Sequence, residues 1–328
     1  MNVEIAIKLR GARLTAWQAL LKDAGLSFDE PVDRIALVWD GDELVATASR
    51  RENMFKYIAV KQNRQGEDLT ATVISALRSD AFAEGYKHLF LYTKPENEKI
   101  FSSLFFYPVA STSKVLLMES RQNGIGEFIS SLGIDKKEGR IGALVMNCNP
   151  FTLGHQYLIE RAAKECDHVY VFVLSEDKSH FSAKDRMEMV KAGTAHLKNV
   201  TVLPTGPYLI SSATFPSYFI KDRENLTEIQ CLLDIEIFVR YFAPAFSISV
   251  RYVGTEPLSP ITEKYNRALA EHLPRYGIEL VEIERAKLDD TVISASLVRE
   301  YISRGETDAL KTLLPKTTLD YLIDKNLL

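Results

Sequence analysis

The hydrophobic pattern changes character part-way along the chain. Up to about residue 120, short apolar runs stand close together: RIALVWD at 34–40, LVATASR at 44–50, FKYIAV at 55–60 and HLFLYTK at 88–94. Before the last of these lies LTATVISALRSDAFAEG, whose apolar residues recur every three or four positions. Short runs of this kind predict an antiparallel meander, and the 3.6-residue period predicts a helix that feeds one more strand. From Arg140 strand and helix patterns alternate: IGALVMN, GHQYLIERAAKEC, HVYVFVLS, FSAKDRMEMVKAGTAHL and NVTVLP. A helix is expected over 227–243, strands at SISVRYVG (247–254) and IELVEIER (278–285), and closing helices over 294–304 and 318–326. This alternation predicts βαβ units around a parallel sheet. The change of grammar falls in 121–140, so two domains are expected, 1–125 and 126–328, the first α+β and the second parallel α/β.

Composition narrows the class without naming a function. At 328 residues, with 46% hydrophobic and 26% charged side chains, the chain sits at the globular average, away from disordered or fibrous classes. Forty basic against 44 acidic residues give a formal net charge of −4, which supplies no general attraction for nucleic acid or an anionic membrane. No run approaches the roughly 20 apolar residues of a membrane span, and the N-terminal stretch MNVEIAIKLR carries charges where a secretory leader needs its apolar core. A cytoplasmic protein is expected. Cys148, Cys166 and Cys231 are odd in number and widely spaced, which excludes a CxxC metal or redox pair and predicts reduced core thiols. No protein-held metal is expected.

The chemistry concentrates in Asn147-Cys148-Asn149-Pro150-Phe151-Thr152-Leu153-Gly154-His155, which follows a predicted buried strand and opens a helix. A helix N-terminus presents unpaired N–H groups and a positive dipole end to an anion. Gly154 permits close backbone approach, Thr152 offers a hydroxyl, and His155 is placed to donate to a phosphate oxygen. On physics alone, a turn at Asn149-Pro150 with Thr152 as helix cap and His155 in solvent is an equal reading. Near the other end, Ser294 and Ser296 open a second helix that also carries Arg299.

NPFTLGH resembles the T/HxGH signature of the nucleotidyltransferase superfamily that includes pantetheine-phosphate adenylyltransferase, and ISASLVR at 293–299 resembles that superfamily's ISxSxxR/K motif. Thr152 stands where the commoner form has a first histidine, so catalysis is expected to lean on His155. The resemblance implies that the first motif lies against the triphosphate of ATP and the second holds its β and γ phosphates. Asn147 and Asn149 then belong to the ATP-binding set, and Mg²⁺ arrives on the nucleotide. Lys178, after the next strand, is the candidate phosphate clamp. Arg186 resembles the arginine beginning the family's following helix, with an exposed helix residue as the equal alternative. Gly254, at a strand end, is expected to approach adenine or ribose.

The first half resembles a GNAT acetyltransferase fold through YIAV, the 62–66 loop, a helix and LFLYTKPENEKIFSSLFFYPV. The two halves together resemble citrate lyase ligases. That family implies ATP-dependent activation of acetate as acetyl-AMP and acetylation of the prosthetic-group thiol on the citrate lyase acyl carrier protein. Within TGPYLISSATFPSYFIK, Tyr208, Ser212 and Thr214 are candidates to line the acetate or carrier-arm side. In the GNAT-like half, Glu67 and Asp68 follow the loop where a pyrophosphate would sit, an unfavourable placement. Carrier recognition or a structural role is therefore expected there, not acetyl-CoA binding. Two other readings stay open: an adenylyltransferase acting on phosphopantetheine or a nicotinamide nucleotide, and a non-catalytic nucleotide-binding module.

Overall fold

The computed structural model describes residues 2–28, 30–177, 179–209, 226–255, 260–288 and 291–328. The chain divides into two compact units with the break between Glu127 and Phe128, residues 226–229 grouping with the first. The first unit holds a seven-stranded sheet of β1 (Asn2–Ala6), β2 (Arg34–Asp40), β3 (Glu43–Arg51), β4 (Met54–Val60), β5 (Phe90–Thr93), β6 (Tyr107–Ser111) and β7 (Leu116–Glu119). Its order is β1-β2-β3-β4-β5-β7-β6, antiparallel except at β4 and β5. Those two strands pair only at Met54–Phe90 and Phe55–Leu91, and a cavity of about 940 Å³ lined in part by Ile58 to Asn63 and Tyr92 to Lys94 opens where they part. The Leu69–Ala83 helix lays Leu69, Val73, Ile74, Leu77 and Ala81 on the sheet, the 3.6-residue stripe read from the sequence.

The meander and its helix fall where the pattern places them, and the N-terminal pair does not appear in the pattern at all. β1 is an edge strand that is mostly exposed, and the Gly11–Asp23 helix buries only Trp17, Leu20 and Leu21, so neither carries a long apolar signature. Within the LFLYTKPENEKIFSSLFFYPV run, the strand after the helix begins at Tyr107. Phe105 sits at φ +59° on the surface, while Phe106 is buried beneath the Arg78 guanidinium, 5.1 Å from its ring centre.

The second unit is a parallel sheet of β8 (Ile141–Met146), β9 (His168–Val173), β10 (Val200–Pro204), β11 (Val250–Gly254) and β12 (Glu279–Ile283). The order β10-β9-β8-β11-β12 is that of a doubly wound Rossmann-like fold. Every described pairing in it is parallel. β8, β9 and β11 are buried on both faces, hence their continuous apolar runs. The fold class is thus an α+β unit followed by a parallel α/β unit, the closing β5-helix-β6 order of the first being the GNAT-like one expected. The chain after β8 turns to β9 on one side, whereas β11 flanks β8 on the other. That reversal opens a crevice at the strands' carboxyl ends, where such folds bind ligands.

The loop after β8 is fixed from below. Phe151 is fully buried and packs against Gly193 in the Ala183–Thr194 helix, where an added Cβ would lie 2.3 Å from Phe151 Cε1. Replacing Gly193 with Ala is expected to destabilise the protein by about 1–3 kcal/mol through forced displacement of that ring, less a helix-propensity gain of up to about 1 kcal/mol. Urea denaturation checks this; a midpoint equal to or above wild type would show that the ring yields freely.

Candidate active site

Two helix N-termini meet at the crevice. The Leu153–Glu165 helix is capped by Thr152, whose Oγ1 accepts from the His155 backbone N–H at 3.4 Å, while His155 Nδ1 accepts from the Thr152 N–H at 3.1 Å. The Ala295–Arg304 helix is capped by Ser294, whose hydroxyl accepts from the Leu297 N–H at 3.2 Å. A Cβ on Gly154 would stand 3.1 Å from the Ile293 carbonyl oxygen, so the glycine lets the two segments touch. Arg299 completes the junction. It donates to the Asn149 carbonyl and to Ser296 Oγ, and burial lowers the pKa of its guanidinium.

A cleft of about 310 Å³ lies between these termini and the ends of β8 and β11, at the small end of ligand-binding cavities. Of the residues singled out in the sequence, Asn147, Thr152, Gly154, His155, Gly254 and Ser294 line it. Ser296 is exposed beside Arg299 rather than in the wall. Asn149 is buried, its side-chain Oδ1 taken by the Phe181 N–H at 3.0 Å, so it shapes the loop. Tyr208 is fully buried with its ring 5.6 Å from that of Phe128, away from the cleft wall. Lys178, Ser212 and Thr214 lie outside the described residues.

Arg186 stands in the first turn of the Ala183–Thr194 helix, where the resemblance puts it, and departs from the exposed alternative. It is completely buried, not exposed, and its guanidinium donates to the carbonyls of Asn147, Leu174, Glu176 and Phe181 and to Asn147 Oδ1. The helical pattern shows a first-turn cation; only the packed loops reveal that its donors are spent in ordering the segments after β8 and β9. Cys148 occupies the same loop at φ +52°, is buried, and has its thiol pKa pushed well up by burial. It is no nucleophile.

Burial first, and the Arg285 charge second, hold the His155 pKa down to about 4. The imidazole is therefore neutral at physiological pH. With Nδ1 accepting from the cap, the remaining proton belongs on Nε2, a neutral donor facing the cleft. Thr152, standing where the commoner motif has a histidine, sets that tautomer.

The sequence reading missed Arg251, Arg285, Tyr265 and Asn266, all in the cleft wall. Arg285 follows β12, where Nε donates to the Thr255 carbonyl at 2.9 Å, and burial lowers its pKa. Asn266 donates to the Gly254 carbonyl at 3.0 Å, holding the strand end open. For Arg285 the available signal was a cation just beyond the end of a parallel strand; Arg251 inside β11 and Tyr265 and Asn266 on a helix carried none. Among the described residues no group of three or more His, Cys, Asp or Glu is placed to hold a metal ion. The described residues therefore build no cage for Mg²⁺.

A switch-point cleft walled by two capped helix N-termini, a neutral histidine donor, the buried Arg251 and the half-buried Arg285 defines a nucleotidyltransferase-fold enzyme built to handle phosphates. Residues 141–322 match the citrate lyase ligase C-terminal domain. The [citrate [pro-3S]-lyase] ligase of Klebsiella pneumoniae is 36% identical over 317 residues, 95% of this chain and 93% of that protein. That of Escherichia coli strain K12 is 38% identical over 309 residues, 92% and 88% respectively. A phosphopantetheine adenylyltransferase of Streptococcus agalactiae serotype Ia is 32% identical over 127 residues, 37% of this chain and 78% of that protein. The chain belongs to the citrate lyase ligase family.

The histidine assignment has a pH consequence. An unfolded imidazole protonates near 6.5 while the folded one waits until about 4, so folding favours the neutral form. Its contribution to stability is complete above pH 6.5 and falls away as pH drops from there towards 4. In ¹H–¹⁵N spectra, His155 is expected as the Nε2–H tautomer with no titration between pH 5.5 and 8; a midpoint near 6.5 would refute the assignment.

Proposed function

We propose that this enzyme is an ATP-dependent acid–thiol ligase that activates acetate as acetyl-AMP and acetylates the prosthetic-group thiol of the citrate lyase acyl carrier protein. The observation that carries the reading is full-length kinship: both halves of the chain pair with curated [citrate [pro-3S]-lyase] ligases at 36–38% identity. The adenylyltransferase alternative is disfavoured because its relatives cover only 37% of the chain.

In the first step an acetate oxygen attacks the α-phosphorus, a new P–O bond forms, and the bond to the bridging oxygen of the β-phosphate breaks as pyrophosphate leaves. In the second the carrier thiolate attacks the acyl carbon and AMP departs with the electron pair of the mixed anhydride. Neither step needs a protein nucleophile, in keeping with the buried Cys148. Positioning and charge stabilisation supply most of the acceleration. In this reading His155 Nε2–H donates to a phosphoryl oxygen, the two helix N-termini and Ser294 receive the triphosphate, and Arg299 with Ser296 keeps the second motif on the first. Lys178 acts as phosphate clamp, Ser212 and Thr214 serve the acceptor side, and Mg²⁺ is carried by the nucleotide. We place the enzyme in the cytoplasm, where its three free, buried cysteines stay reduced; no helix among the described residues is long and apolar enough to cross a membrane.

The first unit is assigned to carrier recognition or support. Glu67 is paired with Arg64, but Asp68 stands at the mouth of the Leu69–Ala83 helix without capping it, leaving an anion where an acyl-CoA pyrophosphate would dock. Full-length protein is accordingly expected to show no ATP-resistant binding of acetyl-CoA up to millimolar concentration in equilibrium dialysis. Low-micromolar binding that survives excess ATP would contradict this assignment.

The direct test measures pyrophosphate release from ATP with acetate, 4′-phosphopantetheine or nicotinamide mononucleotide, each with and without deacetylated carrier. Acetate-dependent turnover that becomes multiple only with carrier thiol is the expected result, and release driven by phosphopantetheine alone would move the protein to the adenylyltransferases. In the same assay His155→Ala is expected to lower kcat by on the order of 10²-fold or more; a fall below about threefold would make the histidine structural.

A further inference from the structure

We infer that Arg251 forms a carboxylate subsite in the cleft floor that receives the acid substrate, a short aliphatic monocarboxylate. The inference rests on the ligase reading for its substrate and on Arg251 for its location. Arg251 is 2% exposed, yet it lines the cleft. Among the described residues it has no hydrogen-bond or ion-pair partner, and its Nε is buried without any acceptor. Its guanidinium instead lies 4.4 Å from the centre of the Phe238 ring. The Asp234 carboxylate accepts from the Tyr265 hydroxyl and forms no ion pair with Arg251. An arginine denied both water and an anion is costly to bury unless something brings the anion.

Depth says which anion. Arg251 is in register with Ala143 of β8, three residues below the ends of β8 at Met146 and of β11 at Gly254. At about 3.3 Å per residue its backbone starts about 10 Å beneath the rim. The helix N-termini that suit phosphates stand at that rim. The floor suits a smaller group, and the planar fork of a guanidinium matches a carboxylate in two parallel hydrogen bonds. Val145 and Val253, which share the arginine's face of the sheet by strand alternation, also line the cleft and leave an apolar seat for a methyl group. Held there, the acid presents an oxygen upward, towards a nucleotide whose phosphates lie on the helix ends. After transfer, the guanidinium bonds the carbonyl oxygen of the mixed anhydride.

The test compares wild type, Arg251→Met and Arg251→Lys as full-length proteins. Line broadening of [1-¹³C]acetate in the presence of α,β-methylene-ATP reads acid binding, titration of the analogue alone reads nucleotide binding, and urea denaturation reads the unliganded fold. Arg251→Met is expected to weaken acetate binding at least 30-fold, to change analogue affinity less than threefold, and to leave the unliganded midpoint equal to or above wild type. Arg251→Lys, which keeps the charge and loses the fork, is expected to fall between the two in acetate binding. Unchanged acetate binding, a parallel loss of nucleotide binding, or a lowered midpoint would each overturn the inference, the second by making Arg251 a phosphate ligand and the third by making it structural. Pyrophosphate release separates the two proposals. Wild type that binds acetate through Arg251 without acetate-dependent turnover sinks the ligase reading alone, whereas such turnover with unaltered acetate KM in Arg251→Met sinks the carboxylate subsite alone.

Discussion

Gly154 and the Ile293 carbonyl approach so closely that a methyl group between them would stand 3.1 Å from the oxygen, and Arg299 ties the same two segments together through the Asn149 carbonyl. That contact joins parts of the chain about 140 residues apart in sequence. It brings two helix N-termini to one point, each with a small capping residue that satisfies part of its own helix. The doubly wound strand order makes the meeting possible, since β8 and β11 are neighbours only because the chain reverses direction across the sheet.

The site is also built by groups that never face a ligand. Arg186 binds four backbone carbonyls from the loops after β8 and β9, converting two irregular segments into a fixed wall. Phe151, wedged over Gly193, anchors the same loop from beneath. The capping pair of Thr152 and His155 then turns a titratable ring into a permanent neutral donor. A charged imidazole would add attraction for phosphate but would also become pH-dependent near neutrality; burial removes that dependence and leaves a directional hydrogen bond.

Much of the architecture was readable because it rests on local, periodic burial. β2, β3, β4, β8, β9 and β10 fall within a residue or two of their apolar runs, and the Leu69–Ala83 and Leu153–Glu165 helices show their apolar stripes or caps in sequence. β1 and the Gly11–Asp23 helix escaped because an exposed edge strand and a helix with three buried residues carry little hydrophobic contrast. The helix expected over 227–243 is α-helical to Ile237 and then widens to a π-turn over Phe238–Phe242, whose ring at 238 meets Arg251. A hydropathy pattern does not distinguish those two windings, because both bury one face.

The sequence by itself determined the two kinds of fold, the family, and the two motifs that cap the helices at the cleft, because each is written in neighbouring residues and local hydrogen bonds. Tertiary structure alone decided what the isolated cations do. Arg186, Arg251, Arg285 and Arg299 are alike as letters, and what separates them is which carbonyls, rings or open space the packed chain sets before each guanidinium. Partners of that kind come from distant segments, and in a low-dielectric interior their presence or absence determines whether a buried charge is a brace or a binding site.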